Sequence, residues 1–167
     1  MALRTIVTEG DPILRKSCRP VNEVTDRIRM ILDDMVDTMR EAQGVGLAAP
    51  QVGIMRRMFV AEPEPEAEEK KVWYFVDPEI IAQEGEEEGE EACLSVPELY
   101  GKVIRPAKIT IRGLDRDGNM QEETFEGFAA RVMCHEYDHL DGILYPDKAE
   151  QMFRAGEENP EEEEKAQ

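Results

Sequence analysis

Apolar residues recur at spacings of three and four from Val24 through Ile28, Ile31, Leu32, Met35 and Val36 to Met39. That is the pattern of an amphipathic helix with one buried stripe. Asn22 is placed to cap its start and Gly44 to stop it. A second helical pattern covers roughly Gly127–Leu140 and ends at Gly142, with Phe128, Val132, His135 and His139 on its inward face. Between the helices the period shortens. Residues 57–61 and 72–76 are apolar runs separated by an acidic, Pro-containing stretch at 62–71. They read as a hairpin with a long connection that the fold can do without. Lys108–Leu114 alternates, with Ile109 and Ile111 on one face and Lys108, Thr110 and Arg112 on the other. Asp117-Gly118 then offers a tight turn into 120–125, which predicts a second hairpin. The segment up to Val21 reads as extended chain. Hairpins with helices outside a β-α-β alternation indicate an α+β fold: antiparallel sheets around a central helix that bears the two histidines, preceded by the N-terminal amphipathic helix.

Charge sharpens the domain picture. Of 167 residues, 35% are charged and the net charge is −18, with most of the excess acid in 62–71, 84–91 and 157–167. Those stretches are expected in loops and a tail, leaving a nearly balanced body. Residues 1–150 are read as one catalytic domain and 151–167 as an acidic tail with too little apolar surface to order itself. Such a surface repels nucleic-acid phosphate and anionic lipid, so neither is an expected partner. No apolar run approaches the roughly 18 residues of a membrane span, and the first residues lack the apolar core of a secretory signal. Cys18, Cys93 and Cys134 are odd in number and widely spaced. They suit a reducing cytoplasm with a thiol kept for chemistry.

The chemistry centres on His135-Glu136-Tyr137-Asp138-His139. Residues four apart lie one above the other on a helix, so both imidazoles can reach one metal ion. Glu136, one step round, then sits beside the metal and not on it. The chain has only two histidines, so a site of three histidines is excluded and a third ligand must be a carboxylate or a cysteine. Cys93 is the candidate, although taken alone it reads more readily as a buried inert thiol than as a ligand. Cys134 points about 100° away from the ligand face, and Cys18 has no polar company. The stretch Gly44-Val45-Gly46-Leu47-Ala48-Ala49-Pro50-Gln51 lacks the endings of a nucleotide loop. Its glycines let backbone approach a ligand and Gln51 offers an amide donor, or the stretch is a simple turn.

Taken together and in this order, 44–51, Glu91-Ala92-Cys93-Leu94-Ser95 and 135–139 resemble the motifs of the peptide deformylases, and the likeness extends over 1–146. The resemblance implies hydrolysis of the N-formyl group from formyl-methionyl peptides of newly made proteins, releasing formate. It makes Cys93, His135 and His139 the ligands of one divalent metal, Fe²⁺ by family habit, with Zn²⁺ suiting the donors as well. It makes Glu136 the catalytic carboxylate, Gln51 and the Leu94 N–H the donors to the formyl oxygen, and Gly46 a backbone partner of the peptide. Val45, Val132 and His135 would line the methionine pocket. The chain departs from the family at Ala92, where glycine is usual, and at Cys134, where glutamine is usual; these bear on rate and substrate preference. It also lacks the basic C-terminal helix that some bacterial members dock on the ribosome, so ribosome docking is not expected. The reading is of a monomer.

Overall fold

Thr25, not Asn22, caps the first helix. Its hydroxyl accepts a hydrogen bond from Ile28 N at 3.2 Å, and α1 spans Asp26–Glu41. Asn22 instead adopts a left-handed conformation (φ 69°), and the Asp77 carboxylate accepts from the N–H of Val21 and of Asn22. The far end is also shifted. Gln43 takes the left-handed position (φ 59°) that Gly44 was expected to fill. Gly44 instead leaves room for Leu94: a Cβ there would come within 2.8 Å of Leu94 Cδ1, and that side chain would have to shift. The structure, a computed structural model, describes residues 2–64, 68 and 70–155.

The stripe of α1 docks on a five-stranded antiparallel sheet. Its strands are β1 (Gly46–Ala48), β2 (Met58–Ala61), β3 (Trp73–Glu84), β6 (Lys108–Leu114) and β7 (Met120–Glu126), in spatial order β1-β2-β3-β6-β7. Both expected hairpins are present, with Phe59 opposite Phe75 and Ile109 opposite Phe125. The period-two rule explains the layering. Met58, Val60 and Val76 face α1 and pack with Leu32, Met35 and Met39. Phe59, Phe75 and Ile111 belong to the opposite layer, where they pack with Ala130, Met133 and Leu140 of α2 (Gly127–Leu140). The helix bearing the histidines therefore rests on the larger sheet. Phe128, assigned to its inward face, is 54% exposed instead, because the first turn of α2 overhangs a cleft.

A second sheet was not legible as such. β4 (Glu87–Cys93), β5 (Val96–Arg105) and β8 (Ala149–Arg154) pair in the order β4-β5-β8, all antiparallel. The acidic run expected in a loop at 84–91 is thus the end of β3 and most of β4. The expected tail boundary at 150 falls inside β8, so residues 151–154 belong to a strand; 157–167 lie outside the described residues. The sheet's inner face joins Leu14, Leu144 and Tyr145 in a third apolar cluster. The 62–71 connection is also not wholly dispensable, since buried Glu62 accepts from Arg40 Nε at 2.9 Å.

Candidate metal centre and substrate cleft

Helical spacing stacks His135 and His139 on one side of α2, with ring centroids 5.0 Å apart. The β4–β5 turn brings Cys93 to the same place. One donor atom from each of Cys93, His135 and His139 lies within 4.8 Å of the others, and Cys93 Sγ is 3.4 Å from His139 Nε2. Neither Cys18 nor Cys134 joins them. Both are buried in the apolar layer under α2, where burial pushes each thiol up to about 11. The donor chemistry fits a divalent ion of intermediate softness, because a thiolate and two imidazoles suit Fe²⁺ or Zn²⁺.

The surroundings of the donors show why the acidic strand is built as it is. His135 Nδ1 lies 2.8 Å from Glu91 Oε1, which turns Nε2 towards the other donors. Ligating histidines are commonly oriented by such a carboxylate. Glu91 also accepts from Arg105 Nε and Nη2 and from Arg131 Nη1, each at 2.8 Å. Burial would raise this carboxyl, but the bonds from Arg105 and His135 override it and hold the group well below the usual range. Arg105 goes on to Asp138 at 2.6 Å. The motif at 91–95 contains Glu91 and Ser95 but gives neither a role, and it does not reach Arg105 or Arg131. A glutamate two residues before the candidate cysteine, in a strand-length segment, was the available signal.

Glu136 is 4% exposed, and its Oε1 has no hydrogen-bond partner among the described residues. Burial pushes its carboxyl up to about 7 against the pull of His135, with Glu91 adding to the rise. A carboxyl titrating near neutrality beside the donors is suited to proton transfer. His135 is driven well above its ordinary value: burial opposes protonation, but Glu136, Cys93 and Glu91 outweigh it. His139 is driven well below by burial, then by His135 and Arg105, so its ring is kept neutral.

Gln51 sits on a short 3-10 turn (Ala49–Val52) after β1 and is 1% exposed. Its amide is fixed at both ends. Oε1 accepts from Ala48 N at 2.9 Å, while Nε2 donates to Ser95 Oγ at 3.0 Å and reaches Cys93 Sγ at 3.5 Å. A cavity of about 650 Å³ opens beside these groups, lined by Val45, Gly46, Leu94, Phe128, Val132 and Glu136 among others. Ala92 is exposed on its rim and Cys134 lies outside it.

Comparison with known proteins then decides the family. The family model described as polypeptide deformylase matches residues 3–155. The chain belongs to the polypeptide deformylase family. It is 51% identical to the peptide deformylase of Agathobacter rectalis over 150 residues, which is 90% of this chain and 92% of the relative. With the peptide deformylase of Caldanaerobacter subterraneus subsp. tengcongensis it shares 48% over 148 residues, 89% of this chain and 90% of the relative. Its fold is similar to the crystal structure of a peptide deformylase from Legionella pneumophila, at TM-score 0.84 and 42% identity, covering 88% and 86% of the two chains. The enzyme class is peptide deformylase, a hydrolase of protein biosynthesis that removes the formyl group from nascent peptides. Among the described residues no helix is long and apolar enough to cross a membrane.

Proposed function

We propose that Cys93, His135 and His139 hold one divalent metal, Fe²⁺ by preference with Zn²⁺ also accommodated, and that Glu136 is the acid–base of N-formyl-methionyl peptide hydrolysis. The observation that carries this reading is the convergence of the three donors within 4.8 Å, with buried Glu136 in the adjoining position of the same helix. When bound, the metal supplies the Lewis acidity that makes water nucleophilic near neutral pH.

The chain's own groups do the rest. Glu136 accepts a proton as water attacks the formyl carbon. The Gln51 amide and the Leu94 N–H hold the oxygen on which negative charge develops, and such donors are worth about 3 kcal/mol each. Gln51 is prepared for this, because its bonds to Ala48 and Ser95 fix which end of the amide faces the thiol. Glu136 then returns the proton to the leaving amine, and formate and a free N-terminus depart. Gly46 supports peptide binding because β1 is the edge strand of its sheet and, among the described residues, pairs only with β2. Its outer edge can accept the peptide as a further strand. Val45, Val132 and His135 line the apolar part of the cavity and receive the methionine side chain. A formyl group is small enough for this buried corner where a larger acyl group would clash. The proposed enzyme is a monomer acting on nascent peptides in the cytoplasm.

The test is formate release. Protein purified without oxygen should carry about one equivalent of metal and release formate from formyl-Met peptides. Chelation should abolish turnover and Fe²⁺ should restore it. A fully metallated protein that leaves formyl-Met peptides intact would refute the proposal.

A further inference from the structure

Glu62 is a buried carboxylate with no part in the chemistry above. It follows the last residue of β2, and its side chain is 4% exposed. Its Oε2 accepts from Arg40 Nε at 2.9 Å. Arg40 stands in the last turn of α1, with its own side chain half-exposed. Such a pair is a poor source of stability, because desolvation offsets the attraction and apolar residues of similar volume often do as well. What it can supply is a fixed geometry between the two elements that carry it.

Those elements enclose one wall of the cleft. The Glu62 N–H donates to Val45 O at 2.8 Å, one step past the Gly46–Ala61 pair that ends the β1–β2 ladder. At the helix end, Gln43 N donates to Arg40 O at 3.0 Å and Gly44 N to Met39 O at 2.9 Å. Arg40, the chain through 41–45 and Glu62 therefore close a ring, sealed by the guanidinium and the carboxylate. Gln43, Gly44 and Val45, inside the ring, all line the cleft. Gln43 is held there at φ 59°, a left-handed backbone that residues other than glycine adopt at a cost. Gly46 lies outside the ring and is fixed by the ladder itself.

We propose that Arg40 and Glu62 are positioning residues: their ion pair clamps 43–45 so that this wall receives the peptide backbone beyond its formyl-methionine. The inference rests on the reading that the peptide adds to the outer edge of β1. Gly46 lies against Glu136, the group proposed to move the proton. On one side of Gly46, Leu47 and Ala48 are buried. A peptide continuing along the edge therefore runs the other way, past Val45, Gly44 and Gln43. Without the clamp Gly46 keeps its place and the positions after it loosen. Binding of longer substrates suffers, and proton transfer at Glu136 does not.

The test compares formyl-methionine amide with a formyl-Met tripeptide. Arg40→Met leaves the Glu62 carboxylate buried without its cation, and should lower Tm and raise KM for the tripeptide. Arg40→Met/Glu62→Met replaces the pair by hydrocarbon and should recover Tm. Its KM for the tripeptide should nevertheless stay raised roughly 10-fold, about the worth of one lost peptide hydrogen bond. KM for the amide and kcat for both substrates should keep their wild-type values, because only binding energy is lost. A purely structural pair would give a KM that recovers with Tm. A wild-type KM for the tripeptide in the double variant overturns the proposal, and so does an equal rise for both substrates. A wild type with the same KM for amide and tripeptide overturns the strand addition beneath it.

Discussion

The backbone of Gly46 lies directly against the carboxylate of Glu136. A Cβ built on Gly46 would stand 2.8 Å from Glu136 Cδ and closer still to Oε2. No left-handed φ is involved, so space alone demands glycine here. Gly46→Ala should therefore push the carboxylate aside. A displacement of about 1 Å costs on the order of 10²-fold in rate, and kcat for formate release should drop by that factor while metal content stays at one equivalent. A wild-type kcat would show that Glu136 has room to move without consequence.

Glu136→Gln keeps the side chain's size and removes its ability to take a proton. The rate should fall by roughly 10²–10⁴-fold, the range for a lost general acid–base. Metal analysis separates this from ligand loss, since Cys93, His135 and His139 are untouched. Loss of metal along with activity would recast Glu136 as a ligand.

The cysteines should behave differently from one another. Cys93→Ala should abolish stoichiometric metal. Cys18→Ala should leave metal content and turnover alone, because Cys18 packs under α2 away from the donors. Retention of a full equivalent by Cys93→Ala would break the proposed ligand set.

Acid sensitivity should trace to Glu91. Its folded pKa lies below the value of about 4.3 expected in an unfolded chain. The carboxylate therefore stabilises the fold above that pH, and the contribution is lost as pH falls towards the folded value. Glu91→Gln leaves Arg131 without its buried counter-charge and Arg105 with Asp138 alone, and should cost about 3–5 kcal/mol at pH 7. Urea unfolding of metal-free protein would measure it. The gap between variant and wild type should narrow below about pH 4.3; a gap that widens there would contradict the assignment.

Both helices were legible because each has a buried face. The stripe from Ile31 to Met39 and the face of Val132, His135 and His139 are buried at helical spacing, which is what periodicity reads. β4 hides for the opposite reason. Gly89 is intermediate in exposure, with the Arg131 guanidinium 2.8 Å from where its Cβ would stand, and Glu91 is buried only because two arginines and a histidine surround it. A strand held by ion pairing has no apolar alternation, so it reads as an acidic loop until its partners in β5 and α2 are known. The candidate site residues come from spacing and resemblance. Their supports, Ser95 beneath Gln51 and Glu91 behind His135, come from contacts more than forty residues apart in sequence, which local patterns do not encode.

The turn between β4 and β5 contains only Leu94 and Ser95, closed by the pairing of Cys93 with Val96. The thiol and the N–H proposed to hold the formyl oxygen belong to consecutive residues, the last of β4 and the first of that turn. They are geared together: no rotation of the turn can carry one without the other. Ala92, the neighbouring departure from the family pattern, sits at the root of this gear. A twist introduced there would reach the sulfur and the oxygen-binding N–H in the same stroke, so drift at this position is transmitted to two functions through a single mechanical linkage.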